Sequence, residues 1–211
     1  MSGVVTLSHS GHQPASAMSC EMALLLLASR RRDDQIVVSN QMTARVWPSI
    51  SKHPLDFNYL SSTMGGAVPL GLGMALARPE HEVVVLSGDG SLLMNLGCLA
   101  TVVASGARNI SIVLLDNGLY EVTGGQLTPG RAAEVDYASI AKAVGFSHCQ
   151  AFDNIEAWHA CIHSQWPTTG PNFFSLRVNR IEPSTERCTT TKVDVELRRL
   201  REHLLHRSPI V

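Results

Sequence analysis

The sequence predicts an α/β fold with three layers, a parallel sheet covered by helices on both faces. Short strand-like runs, mostly apolar and β-branched as in strands buried on both faces, lie at residues 35–39, 83–86, 110–115 and 173–178. Segments with apolar residues at helical spacing lie at residues 20–31, 65–77, 91–105, 137–144 and 155–166. Strand and helix therefore alternate, and this alternation favours a parallel sheet.

The 211 residues are enough for one large domain with a sizeable core. Residues 1–17 are predicted to be a flexible N-terminus, residues 18–182 the domain, and residues 183–211 a linker and a C-terminal helix. Apolar residues form one stripe of that helix, which suits packing on its own domain or on a neighbouring subunit: Val193, Leu197, Leu200 and Leu204.

Composition excludes several classes of protein. The net charge is −1, 17% of the residues are charged, and no basic stripe occurs, so nucleic-acid binding has little support. The first 18 residues lack the pattern of a signal peptide, and the apolar stretch at residues 22–28 is too short to span a membrane. Five scattered cysteines without a C-x-x-C pair predict reduced thiols in a cytoplasmic protein.

A carboxylate follows the second apolar run in the sequence Gly88-Asp89-Gly90, and Ser91 then offers a helix N-cap. A strand, a glycine turn and a helix N-terminus together suit an anion such as phosphate. Because a carboxylate repels phosphate, the presence of Asp89 predicts a cation between the two.

The next apolar run ends in Asp116-Asn117. If the two strands are neighbours, these residues face the turn that contains Asp89, and a carboxylate, an amide oxygen and a backbone carbonyl would form an incomplete shell of oxygen ligands. Mg²⁺ is often held by few protein ligands, because phosphate and water complete its octahedron. The pattern therefore predicts magnesium bound to a diphosphate. The dinucleotide fingerprint is excluded, since Leu93 stands where it needs glycine, and no Walker loop occurs.

The G-D-G turn, followed one strand later by a pair ending in Asn, resembles the signature of the thiamine diphosphate-dependent decarboxylase and acetolactate synthase superfamily. The resemblance implies the thiamine diphosphate-binding fold, with Asp89 and Asn117 as side-chain ligands of Mg²⁺ and Leu119 as a backbone ligand. The superfamily pair is commonly Asn-Asn, so Asp116 departs from it, and a slip of one residue would transfer the ligand role to Asp116.

The same resemblance implies further contacts with the cofactor. Met64 matches the bulky residue that wedges under thiamine diphosphate, and the carbonyl of Ser62 would meet the exocyclic amine of the cofactor. The other residues of these matched loops are expected to line the cofactor: Thr63, Gly88, Gly90, Ser91 and Tyr120. Residues 39–45 resemble the first-strand loop that contacts the diphosphate, through Gln41, Met42 and Thr43, with Gln41 standing where relatives usually have glycine.

Over residues 18–182 the chain resembles sulfopyruvate and phosphonopyruvate decarboxylases. Their chemistry needs a glutamate from a pyrimidine-binding domain. Only loose residues precede the first predicted helix, so we expect an α-type partner subunit to carry that domain and its glutamate, as in split sulfopyruvate decarboxylases. Two alternatives stay open: a subunit of a thiamine diphosphate-dependent carboligase, and a non-catalytic subunit that holds the cofactor.

Candidate residues on the substrate side are fewer. Glu121 and Thr123 follow the predicted magnesium loop and are expected to line the reaction chamber, and Arg45 is a candidate partner for an anionic group of the 2-oxo acid. His159 and His163 have the i, i+4 spacing of metal ligands. No third ligand accompanies them, so an exposed helix face is predicted there.

Overall fold

A computed structural model describes residues 17–60, 63–181 and 192–206. Its strands are β1 (Ile36–Asn40), β2 (Asp56–Tyr59), β3 (Val83–Gly88), β4 (Ile110–Asp116), β5 (Leu119–Tyr120), β6 (Gln126–Leu127), β7 (His148–Phe152) and β8 (Asn172–Arg177). Six of them form one sheet in the order β2-β1-β3-β4-β8-β7, in which every neighbouring pair is parallel. β5 and β6 form a small antiparallel hairpin. The predicted parallel sheet is confirmed.

Helices cover both faces of this sheet. They are α1 (Cys20–Ser29), α2 (Thr43–Ile50), α3 (Ala67–Ala77), α4 (Asp89–Leu93), α5 (Cys98–Ala104), α6 (Pro129–Ala132), α7 (Tyr137–Val144), α8 (Ile155–Ala160) and α9 (Val193–His206). The chain continues from α8 into a short π-helix, Cys161–Gln165. Within the described ranges, no helix combines the length and the apolar character needed to cross a membrane.

The core consists of two apolar layers, one on each face of the sheet. Along β3, Val83 and Val85 pack with α3 and α5 on one face, and Val84 and Leu86 pack with α1 and α8 on the other. All four side chains are at most 1% exposed. A strand whose two faces are both covered needs apolar residues at every position, which explains why the sequence shows a continuous apolar run here.

Two strands of the sheet were not predicted. β2 and β7 are its edge strands, and their sequences, DFNY and HCQAF, contain no run of β-branched residues. β7 is largely exposed and so needs few apolar side chains, whereas β2 is buried but keeps polar residues in hydrogen bonds, such as Asn58, which accepts one from Ser39 Oγ at 2.8 Å. Short polar segments of this kind carry no strand signal of their own.

The helix predicted at residues 91–105 is wrong in its continuity. The chain instead forms α4, a turn at residues 94–97 and then α5. Asn95 Nδ2 donates a hydrogen bond to the carbonyl of Gly65 at 3.2 Å, and Asn95 Cβ lies where a side chain on Gly65 would point. This contact with a distant loop holds the turn between the two helices.

The C-terminal helix α9 packs on its own domain, against β2. Leu200 is buried, but Leu197, predicted on the same stripe, is 47% exposed. Glu196 takes the inward position instead, where it is 2% exposed and accepts hydrogen bonds from Asn58 N, at 3.3 Å, and from Arg199 Nη2, at 2.7 Å. A hydrogen-bonded buried carboxylate therefore contributes to docking a helix that the sequence predicts to dock through apolar residues alone.

Two glycines of α3 provide a test of how closely this helix packs on the sheet. A Cβ on Gly71 would lie 2.3 Å from Val85 Cγ2, whereas a Cβ on Gly73 would meet no atom within 4 Å. We expect Gly71→Ala to lower the free energy of unfolding by about 1–3 kcal/mol through overpacking. Gly73→Ala should raise it by about 0.5–1 kcal/mol, because alanine favours the helix. Urea unfolding of both variants measures the difference, and equal effects would contradict the packing described here.

Candidate active site

The carboxyl ends of three adjacent central strands meet at one edge of the sheet. β3 lies between β1 and β4, with Ser39 paired to Leu86 and Gly88 paired to Leu115. An open cleft of about 540 Å³ lies beyond these strand ends. Open α/β sheets bind their ligands at this edge. The three loops that the sequence predicts to carry the chemistry therefore surround one cleft.

Asp89 lines the cleft and is 1% exposed. Its Oδ2 accepts a hydrogen bond from Thr128 Oγ1 at 2.8 Å. Among the residues that the structure describes, no Lys, Arg or His forms an ion pair with it. Burial, and then the nearby Asp116 carboxylate, raise the pKa of Asp89 from 3.8 to about 6. Such a carboxylate favours a bound cation, which would replace the lost hydration.

Ser91 also lines the cleft, but the prediction that it caps a helix is wrong. α4 begins at Asp89 with Gly88 as its N-cap residue, and no side chain caps it. Ser91 Oγ instead accepts hydrogen bonds from Asn40 Nδ2 and Gly65 N, both at 3.0 Å. Through these two hydrogen bonds the Ser91 hydroxyl links the loops of Asn40 and Gly65 to the turn after β3.

Asn117 and Asp116 are adjacent in the chain but have different surroundings. Asn117 lines the cleft, and its Oδ1 accepts a hydrogen bond from Leu119 N at 2.9 Å. Asp116 does not line the cleft, and its Oδ2 lies 3.5 Å from Arg177 Nε. Gly118, between the two predicted ligand positions Asn117 and Leu119, has φ +73°. This left-handed conformation suits glycine and produces the tight turn.

The residues after this turn form another wall of the cleft. The ring of Tyr120 lies over Gly90, where an added Cβ would be 2.6 Å from Tyr120 Cδ1. The Glu121 side chain is 7% exposed, with its Oε1 3.5 Å from Arg180 Nε. Thr123 is exposed, lines the cleft and donates a long hydrogen bond, 3.4 Å, to the carbonyl of Tyr120. The Glu121 carboxylate is therefore largely covered and paired with Arg180 rather than solvated.

The loop before α3 contributes Met64, which is half-buried and lines the cleft. Thr63, predicted to contact the cofactor, is exposed and is not among the residues that line the cleft. Ser62, predicted to offer its carbonyl, lies outside the described residues.

The loop after β1 brings Gln41, Met42 and Thr43 to the cleft. Gln41 has φ +53°, a conformation that glycine adopts at lower cost. This agrees with the expectation that relatives have glycine at this position. Arg45, the predicted partner of an anionic substrate group, is exposed on α2 and is not among the residues that line the cleft.

Sequence reasoning assigned no role to two buried residues of the cleft wall. Asn40 is 0% exposed, and its Oδ1 has no hydrogen-bond partner among the described residues. Asn40 directly follows the strand predicted at residues 35–39, and this position could have marked it as a site residue. Cys20, at the start of α1, is 2% exposed, and burial together with the Glu121 charge raises the pKa of its thiol to about 12. No local pattern places α1 beside this cleft.

The donors of the cleft suit a hard cation. Asp89 and Asn117 offer side-chain oxygens, Leu119 offers a backbone carbonyl, and the Oδ1 of Asn40 still needs a donor or a cation. Oxygen ligands of this kind suit Mg²⁺. No group of three or more His, Cys, Asp or Glu side chains that could hold a metal occurs in the described part of the chain. A Cβ on Gly88 would meet nothing nearer than 4.0 Å, so the turn leaves space beside these oxygens. The residues present therefore fit Mg²⁺ bound to a diphosphate.

A parallel sheet with such a cleft beyond its central strands defines the class, an α/β protein with a ligand site at the carboxyl edge of its sheet. Comparison with known families makes this specific. Residues 36–173 match the family model described as "Thiamine pyrophosphate enzyme, C-terminal TPP binding domain". The chain belongs to this family.

The relatives of the chain include decarboxylases. It is 34% identical over 175 residues to a phosphonopyruvate decarboxylase from Streptomyces viridochromogenes, over 83% of this chain and 43% of that protein. It is 42% identical over 124 residues to a sulfopyruvate decarboxylase subunit beta from Methanothermobacter thermautotrophicus, over 58% of this chain and 65% of that subunit. The match therefore spans less than two thirds of each relative.

A solved structure shares the fold. Benzoylformate decarboxylase from Polynucleobacter necessarius superimposes with a TM-score of 0.66 at 17% identity, over 82% of this chain and 35% of that one.

Proposed function

We propose that this chain is the pyrophosphate- and magnesium-binding part of a thiamine diphosphate-dependent enzyme that decarboxylates a 2-oxo acid. The observation that carries the proposal is Asp89, a buried carboxylate without a cationic partner among the described residues, in the same cleft as Asn117 and Leu119. Family membership and two relatives named as decarboxylases support it.

Thiamine diphosphate, when bound, supplies a nucleophilic ring carbon and an electron sink for the release of carbon dioxide. Asp89 and Asn117 would hold Mg²⁺ through side-chain oxygens, and Leu119 through its carbonyl. The turn formed by Gly88, Gly90 and Ser91 would lie against the diphosphate. Asp89 would thus have a cation between it and the phosphate charge, as the sequence pattern predicts.

Other cleft residues would act on the rest of the cofactor and on the substrate. Met64 and Tyr120 offer apolar surface against which a ring can pack. The carbonyl of Ser62 would meet the exocyclic amine of the cofactor, and Thr63, whose side chain does not line the cleft, would contact the cofactor only through its backbone. Glu121 and Thr123 would face the substrate, with the Glu121 carboxylate held by its ion pair with Arg180.

The glutamate that family chemistry requires would come from a pyrimidine-binding domain on an α-type partner subunit. The name "subunit beta" of the sulfopyruvate decarboxylase relative supports this arrangement. In the overall reaction a 2-oxo acid anion and one proton give an aldehyde and carbon dioxide.

Native mass spectrometry of the protein purified from its source in Mg²⁺ buffer tests the proposal. We expect an assembly that contains a second chain and thiamine diphosphate. Incubation with sulfopyruvate or phosphonopyruvate should then release carbon dioxide and the matching aldehyde. A condensation product instead of the aldehyde would indicate a carboligase, and an assembly without thiamine diphosphate would contradict the proposed function.

A further inference from the structure

Asp116 forms an ion pair directly behind the turn that carries Asn117 and Leu119. Asp116 is the last residue of β4, is 6% exposed, and is the Cα partner of Arg177 on β8. Arg177 Nε lies 3.5 Å from Asp116 Oδ2, and the backbone of Val178 donates a hydrogen bond to the carbonyl of Asp116 at 3.0 Å. Sheet register therefore holds this arginine beside this carboxylate.

The pair is close enough to the cleft to act on it without entering it. Neither Asp116 nor Arg177 lines the cleft, yet the charge of Asp116, after burial, contributes to raising the pKa of Asp89. Burial raises the pKa of Asp116, and the charges of Arg177 and then Arg131 oppose that rise. The Arg131 side chain also packs against Gly118, where an added Cβ would be 2.9 Å from Arg131 Cδ. Two carboxylates thus lie at one strand edge, and the arginines compensate the rear one.

We propose that Arg177 and Asp116 form a charge pair that balances the affinity of the cleft for its cation against its affinity for the diphosphate. This inference rests on the proposed function. Asp116 places a second carboxylate next to Asn117, and Arg177 pairs with it at 3.5 Å and so offsets its charge. Both are positioning residues, since neither lines the cleft.

The proposal predicts that the affinities for the cation and for the diphosphate shift in opposite directions, which structural damage to the site would not produce. Without Arg177 the rear carboxylate is uncompensated, so the cleft becomes more negative, attracting a cation more strongly and repelling a diphosphate. Without Asp116 the cleft becomes more positive, and both affinities move in the opposite direction. A misfolded or loosened site would weaken both ligands together.

Three variants of the full chain test this inference: Arg177→Gln, Asp116→Asn and the double variant. The affinity for Mn²⁺ alone is measured by electron paramagnetic resonance, and the affinity for thiamine diphosphate by calorimetry at saturating Mg²⁺. Both are measured at pH 8, so that proton uptake does not hide the change in charge. Arg198→Gln, which removes the same charge from an exposed ion pair on α9, is the matched control.

We expect Arg177→Gln to bind Mn²⁺ about three- to tenfold more tightly and thiamine diphosphate about three- to tenfold more weakly, from Coulomb interactions at intermediate dielectric. Asp116→Asn should show the opposite shifts, and the double variant should return to within about twofold of the wild type. Arg198→Gln should change neither affinity.

The outcomes separate the two proposals. All variants are measured in the assembly with the α-type partner; if the wild-type assembly binds neither ligand, the proposed function fails. If the wild type binds both but Arg177→Gln changes neither, or changes both in the same direction, the charge-pair inference alone is overturned. A double variant that stays as impaired as Arg177→Gln would also overturn it, because charge compensation requires rescue.

Discussion

Asp89→Asn is expected to abolish magnesium-dependent retention of thiamine diphosphate. The substitution keeps the shape of the side chain and an oxygen that can accept the hydrogen bond from Thr128, but it removes the charge that a cation would neutralise. Loss of even an outer partner of a metal site costs about 10–100-fold in metal affinity, so loss of a direct ligand should cost at least about 100-fold. Gel filtration in Mg²⁺, followed by assay of the bound cofactor, measures the effect.

Asp153→Asn is the matched control for this experiment. Asp153 follows β7 at the same carboxyl edge of the sheet, but it is exposed and is not among the residues that line the cleft. The control should retain the cofactor as the wild type does. Retention of thiamine diphosphate by Asp89→Asn at the wild-type level would show that Asp89 is not the magnesium ligand.

Asp89→Asn is also expected to stabilise the protein when no metal is present. Because the folded state raises the pKa of Asp89 from 3.8 to about 6, it holds this proton more tightly than the unfolded state does. The stability linked to that proton is present below about pH 4 and is lost as the pH rises through about 6. Above that range the charge costs about 3 kcal/mol, from a shift of roughly two pKa units.

Urea unfolding in a chelator measures this second effect. At pH 8 Asp89→Asn should be about 2–3 kcal/mol more stable than the wild type, and the difference should nearly vanish at pH 4. Added Mg²⁺ should stabilise the wild type and leave the variant unchanged. Equal stability at pH 8 without metal would mean that the buried charge of Asp89 is already compensated.

The central strands could be predicted because burial on both faces leaves a direct trace in the sequence. β3, β4 and β8 were located to within two residues at each end, since each contains a run of mostly apolar residues. β2 and β7 were missed because edge strands leave no such trace. The small helix α6 was also missed. Its N-cap residue, Thr128, donates a hydrogen bond to Asp89, a contact that only the fold provides.

The polar residues of the site could be predicted because each stands at the end of an apolar run. Asp89 and Asn117 line the cleft from separate loops, as expected of parallel strands. The role of Ser91 was wrong, because its hydroxyl bonds to Asn40 and Gly65 rather than to its own helix. A local capping pattern cannot show which distant loop competes for a side chain.

The sequence by itself determined the order of the strands along the chain and the chemical type of the residues that follow them, because both are local patterns. Only the tertiary structure decided which of two adjacent polar residues faces the cleft. Asp116 ends its strand opposite Arg177, a partner far along the chain, and Asn117 lies past the strand end in the turn that opens to the cleft. Strand register sets that partner, and register comes from the pairing of whole strands.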